Sequence, residues 1–123
     1  MTIDRQRIGK LGELEACRRL IDAGYSIKET NWRSRRGELD IIATIGDKLV
    51  FFEVRTRGAV SVGRFGSAAE SVDYRKQQQV RAIAQTYMQY TKQQDAPIRF
   101  DVITILIGAD DVIHEYRHYE AAF

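Results

Sequence analysis

Asp40 and Glu53 are the residues of this chain whose types and spacing could do chemistry, because a tight turn lies midway between them. Gly46-Asp47 joins two runs rich in β-branched and aromatic residues, and this pair suits a two-residue hairpin turn, since Gly tolerates positive φ and Asp does so better than most. In that hairpin Ile45 faces Lys48, and counting outward sets Asp40 opposite Glu53 and Glu38 opposite Arg55. Side chains alternate. One face carries Leu39, Ile41, Ala43, Ile45, Val50, Phe52 and Val54; the other carries Ile42, Thr44, Leu49 and Phe51 near the turn, and Glu38, Asp40, Glu53 and Arg55 at the open end. Opposed carboxylates, with Cβ atoms about 4.5–5.5 Å apart, repel. A proton, the Arg55 guanidinium or a divalent cation would relieve them. Mg²⁺ is commonly held by one or two carboxylates plus waters and a phosphate, so phosphodiester cleavage is within reach of this set. The competing reading is an ion-paired, solvated hairpin face.

The elements that must position these acids follow from periodicity. Residues 4–23 predict a helix with Ile8, Leu11, Leu14, Cys17, Leu20 and Ile21 as its buried stripe, stopped by Gly24. Glu13 falls on or beside that stripe: either a buried carboxylate needing a partner or metal, or an edge residue reaching water. Cys17 reads as a small core residue. Residues 25–32 alternate as a first strand, and residues 31–37 form a connection in which Trp32 caps the core rather than stacking on a base. Residues 56–67 are a glycine-rich loop, a phosphate-gripping flap or a plain crossover.

A second helix runs from Ser71 or Asp73 to Lys92, with Val72, Val80, Ile83, Ala84, Tyr87 and Met88 inward. Lys76 lies on that stripe, and so either snorkels or points into the cavity of the acids. Residues 98–107 form a strand that a right-handed crossover lays parallel to the one ending near Thr56, with Asp101 placed to hold an Arg or Lys. Residues 112–119 form the last strand; its His114 and His118 have no third partner in view for a zinc site. The order αβββαββ is an α/β fold: a central mixed five-stranded sheet flanked by helices.

At 123 residues, 44% hydrophobic and 29% charged, the chain is expected to form one domain over 1–123. No run approaches the length of a membrane span, the N-terminus lacks a signal-peptide core, and one cysteine excludes an intrachain disulfide framework, so the expected location is cytoplasmic. Net charge is only +2, but Arg33, Arg35, Arg36, Arg55, Arg57, Arg64, Arg75, Lys76 and Arg81 bracket the acidic pair, as a polyanion groove with a metal at its floor would require.

Gly12-Glu13, Gly24-Tyr25, Asn31-x-Arg33, Gly37-Glu38-Leu39-Asp40-Ile41-Ile42-Ala43, Leu49-Val50-Phe51-Phe52-Glu53-Val54-Arg55-x-Arg57, Lys76, Arg99-Phe100-Asp101-Val102-Ile103 and the final Ala121-Ala122-Phe123 together resemble the YraN-like family over nearly the whole chain. That family is similar to the archaeal Holliday-junction resolvases, Mg²⁺-dependent nucleases of the restriction-endonuclease-like superfamily with the PD-(D/E)XK motif. The resemblance implies that Asp40 and Glu53 are the motif acids, that Glu13 assists them with Mg²⁺ or Mn²⁺, and that Arg55 takes the lysine position. It also implies DNA, plausibly branched, as partner, and it allows a homodimer. Arg33, Arg35, Arg36, Arg57 and Arg64 are then candidates for gripping DNA. Two departures stand out: Leu39 precedes Asp40 where the motif has Pro, and Arg55 replaces the lysine, which Lys76 could substitute. Arg cannot give up a proton to activate water, though it can neutralise charge. The alternatives are a catalytically idle nucleic-acid-binding module of the same fold, or a protein-interaction domain.

Overall fold

The structure, a computed structural model, describes residues 2–58 and 72–123. In chain order these form α1 (Thr2–Asp22), β1 (Ser26–Ser34), β2 (Gly37–Ile45), β3 (Lys48–Gly58), α2 (Tyr74–Tyr90), β4 (Ile98–Ile107) and β5 (Ile113–Tyr119). The strands lie side by side in sequence order. β3 and β4 are parallel, from Leu49↔Ile98 to Gly58↔Ile107, and every other pair is antiparallel. This is the mixed five-stranded α/β sheet expected from the order of elements. No described helix is long and apolar enough to cross a membrane.

The sheet is covered on both faces because its central strands are apolar on both. Ala16 and Leu20 of α1 pack over Ile41, Ala43, Val50, Phe52, Ile103 and Ile105. On the opposite face Val80, Ile83, Ala84, Tyr87 and Met88 of α2 cover Ile42, Leu49, Phe51 and Phe100. α2 begins where Asp73, in extended conformation, caps it by accepting the Lys76 N–H at 2.8 Å. α1 ends on Gly24 at φ +98°, with the Tyr25 N–H bonded back to the Leu20 carbonyl at 2.9 Å, a Schellman closure.

Three expectations need correction. Leu14 and Ile21 belong to no core: they are 63% and 57% exposed. The face α1 presents to the sheet is narrower and runs through Gly12 and Ala16, where a Cβ on Gly12 would overlap the Thr56 hydroxyl. Small residues let the helix approach closely, and hydrophobic periodicity does not register them. Trp32 sits within β1, not in a loop, and packs edge-on against Tyr87. Leu39 joins Ile42 on the α2 side instead of sharing a face with Ile41. The alternation fails beside Asn31, which takes φ +53° between the Thr30↔Ile41 and Trp32↔Leu39 pairs.

Asp101 is fully buried yet fully partnered. It accepts Arg99 Nε and Nη2 at 2.9 and 2.7 Å, pairs with His118 Nε2 at 2.7 Å and accepts the Ala121 N–H at 3.0 Å. Arg99 also donates to the Tyr25 hydroxyl at 2.6 Å. Burial pushes the Asp101 carboxyl up, but the bonds from His118, Arg99 and Ala121 outweigh it and hold it below the usual range. The cluster staples β4, β5, the C-terminal residues and the end of α1 together.

Two substitutions test this packing. Gly12→Ala is expected to cost about 1–3 kcal/mol in urea unfolding, despite gaining about 1 kcal/mol of helix propensity, with most of the loss recovered in Gly12→Ala/Thr56→Ala. Asp101→Ala, which leaves Arg99 buried without its partner, is expected to cost about 3–5 kcal/mol by the same measurement.

Candidate active site

The β2–β3 hairpin turns at Gly46 (φ +57°) and Asp47, and its register runs Ile45↔Lys48, Thr44↔Leu49, Ala43↔Val50, Ile42↔Phe51 and Ile41↔Phe52. There the ladder stops. Asp40, the next residue of β2, turns its carboxyl into the opening and accepts the Val54 N–H at 2.8 Å. That carboxyl is also hydrogen-bonded to the carboxyl of Glu53. Two acids from neighbouring strands thus meet where the strands part, and one of them, Glu53, is only 5% exposed.

Two cations lean on Glu53 Oε2. Arg55 Nη2, two residues along β3, is 3.4 Å away, and Lys76 Nζ, from the first turn of α2, is 3.3 Å away. Lys76 therefore reaches the acids instead of running out to solvent, although it is separated from Glu53 by residues 54–75 in sequence. The Arg55 Nε is buried and has no hydrogen-bond partner among the described residues, a donor that a buried acceptor would satisfy. Glu13 stands nearby on α1, where Asn31 Nδ2 donates to its Oε1 at 3.1 Å. Sequence reasoning did not single out Asn31 as a contributor; it stands across from Asp40 and ties Glu13 to the sheet. Its place in the Asn31-x-Arg33 motif marked the residue but not this contact, which depends on an Asn at positive φ inside a strand. Glu38 does not face Arg55: it pairs across β1–β2 with Arg33, at 2.8 Å, because the β2–β3 ladder ends before it.

The electrostatics follow from crowding. Burial, then the charge of Glu53 and the hydrogen bond to it, push the Asp40 carboxyl up to about 8. The Val54 N–H works the other way, and Glu13 adds to the rise. Asp40 therefore keeps its proton to higher pH than a free carboxyl does. Basic groups gather above it. Burial lowers the Arg57 pKa, and the charges of Arg55 and Arg5 lower it further, so three guanidinium groups share the end of β3. Arg35 and Arg36 are exposed in the β1–β2 turn, and the Arg36 carbonyl is held by Gln79 Nε2 of α2 at 2.8 Å. Arg64 lies outside the described residues, as does most of the loop read as a flap. Arg81 is committed elsewhere, lying 4.7 Å over the Phe100 ring.

Among the described residues no three His, Cys, Asp or Glu side chains converge as a metal cage. Asp40 and Glu53 alone supply adjacent hard oxygen donors, the number that Mg²⁺ or Mn²⁺ takes when waters and a phosphate complete its shell. The donor set fits such an ion, with Glu13 at the margin.

The raised Asp40 pKa has a stability consequence. Between the unfolded value near 3.8 and the folded value of about 8, the folded chain keeps a proton that the unfolded chain has released, so stability falls as pH rises through this window. Asp40→Asn, which keeps the geometry and cannot ionise, is expected to flatten that fall. In EDTA, its Tm advantage over the unsubstituted protein should grow from pH 5 to pH 8.5; parallel curves would contradict the assignment.

Comparison with other proteins agrees with the sequence resemblance. Residues 12–105 match the uncharacterised protein family UPF0102. The chain is 43% identical over 126 residues to a UPF0102 protein of Desulforamulus reducens, covering 99% of both chains. It is 44% identical over 101 residues to one of Rhodococcus jostii, covering 82% of this chain and 83% of that one. With one of Moorella thermoacetica the identity is 37% over 123 residues, the full length of both. With the match spanning most of its length, the chain belongs to the uncharacterised UPF0102 (YraN) family.

Proposed function

We propose that this protein is a metal-dependent endonuclease of the restriction-endonuclease-like superfamily, hydrolysing phosphodiester bonds in DNA, branched DNA included. The single observation that carries this reading is the contact of Asp40 with Glu53 beneath two cations from different elements, Arg55 and Lys76. Acids alone would suit many metal sites. Acids with an arginine and a lysine on the same oxygen suit a reaction whose substrate brings its own negative charge.

The roles divide among the chain's residues. Asp40 and Glu53 hold Mg²⁺ or Mn²⁺, with Glu13 at the edge. When bound, the ion lowers the pKa of its water and polarises the phosphate. Arg55 stays charged at every working pH, so it neutralises the developing negative charge and takes no part in proton transfer. Before the ion enters, Lys76 adds a second positive charge at the same acid. Arg35, Arg36 and Arg57, with Arg33, grip the sugar–phosphate backbone around the acids; such contacts position the substrate without reading its sequence.

One observation favours a second reading, an idle nucleic-acid-binding module: Arg55 occupies the position of the motif's lysine and is already paired with Glu53. Incubation with a labelled four-way junction and with linear duplex separates the two. The first reading expects cleavage in Mn²⁺ or Mg²⁺, none in EDTA, and loss of at least about a hundredfold in rate in Asp40→Ala. Metal-independent binding that weakens steeply with salt, with no cleavage except in Arg55→Lys, would overturn it in favour of the second.

A further inference from the structure

Lys76 and Arg55 both neutralise Glu53, but they are not equivalent. Arg55 is on the same strand as the acid, two residues away on the same face, so it is carried wherever Glu53 goes. Lys76 arrives from a separate element on a flexible four-carbon stem, through a 3.3 Å contact, with 30% of its side chain exposed. Its backbone is pinned on both sides. The Asp73 cap accepts its N–H at 2.8 Å, and Gln79, one turn on, is bonded to the Arg36 carbonyl at 2.8 Å. Helix α2 therefore has little freedom to slide at this point, whereas the Lys76 side chain has room. Asp73, Arg75, Lys76 and Gln79 line an open recess of about 390 Å³ beside it.

We propose that Lys76 is the resident counter-ion of Glu53, displaced from Oε2 when a divalent cation enters and received by the recess at the start of α2. This rests on the reading of Asp40 and Glu53 as metal-holding acids. The physical reason is exchange of like for like. A buried carboxylate beside another carboxyl needs positive charge at all times, and the ammonium supplies it until a divalent ion does so better. A dication on Oε2 would strongly repel the ammonium already there, and the lysine, on its own flexible stem, is the cation free to move away as the ion binds. A lysine with a purely structural role would behave in the opposite way, because its loss would loosen the site and weaken the ion.

The test measures Mn²⁺ binding, by electron paramagnetic resonance or calorimetry, in the unsubstituted protein and in Lys76→Met, Lys76→Gln and Asp40→Asn, each checked for folding by circular dichroism. Removing the competing ammonium is expected to tighten Mn²⁺ binding about fivefold in both Lys76 variants, on the scale of a partly exposed ion pair. In EDTA the same variants should melt below the unsubstituted protein. Asp40→Asn should lose Mn²⁺ binding. Mn²⁺ affinity unchanged or weakened in Lys76→Met and Lys76→Gln, with Asp40→Asn still deficient, overturns the proposal and leaves the metal site standing. Absence of Mn²⁺ binding in every protein, the unsubstituted one included, overturns both.

Discussion

A carboxyl pair at the open end of a covered hairpin cannot exist as two bare charges, and much of the local structure answers that constraint. Asp40 sits one residue beyond the last backbone pair of β2 and β3, where the strands separate and the Val54 N–H would otherwise lack an acceptor. The Asp40 carboxyl takes that N–H, burial and the nearby Glu53 raise its pKa, and two cations contact Glu53 Oε2. Each of these compensations is available because a different element delivers it: β2 the acid, β3 the amide and guanidinium, α2 the ammonium. Remove the packing that fixes any one and the acids must separate, neutralise or admit water.

The two helices hold this arrangement by opposite means. α1 approaches the sheet closely, through glycine and alanine, and brings Glu13 onto Asn31 of β1, in the same region as Asp40. α2 packs through a broad apolar and aromatic face, with Tyr87 edge-on to both Phe51 and Trp32. Its first turn is locked by the Asp73 cap, so Lys76 emerges at a defined height over β3. Further along, Arg81 lies over Phe100, which Phe123 also stacks against. The chain's last residues thus brace the helix that supplies Lys76, and the buried Asp101 cluster in turn anchors them through the Ala121 N–H.

What was legible in the sequence was local. Gly46-Asp47 announces a hairpin, and the register from Ile45↔Lys48 to Ile41↔Phe52 follows by counting. The α2 stripe and the parallel β3–β4 pairing follow from periodicity and the crossover rule. What was not legible depended on close approach or irregular backbone. Leu14 and Ile21 fit a helical stripe in spacing, yet the true contact runs through Gly12 and Ala16, which carry almost no hydrophobic signal. Glu38 was assigned to Arg55 because strict alternation was extended past the point where the ladder ends. The position of Lys76 on the α2 stripe was visible, but its choice between solvent and Glu53 needed the height of one helix over one strand. The Asp101 cluster joins side chains from three parts of the chain, residue 25, β4 and β5, and the sequence indicated only that Asp101 is placed to hold an Arg or Lys.

The arginine at position 55 is the feature that most constrains how such a site could work. A lysine there would be a point charge able to lose a proton; the guanidinium is a planar fork that stays charged. One arm of that fork rests on Glu53, and part of the guanidinium side chain remains open to solvent. A guanidinium held in this way is half engaged: it steadies the acid, and its exposed part can still meet an oxygen arriving from outside. Positive charge is thereby fixed on the strand by Arg55 and left movable on the helix at Lys76. On the proposed reading a phosphate oxygen is the acceptor that completes Arg55. Substrate binding would then engage a guanidinium that Glu53 occupies only in part.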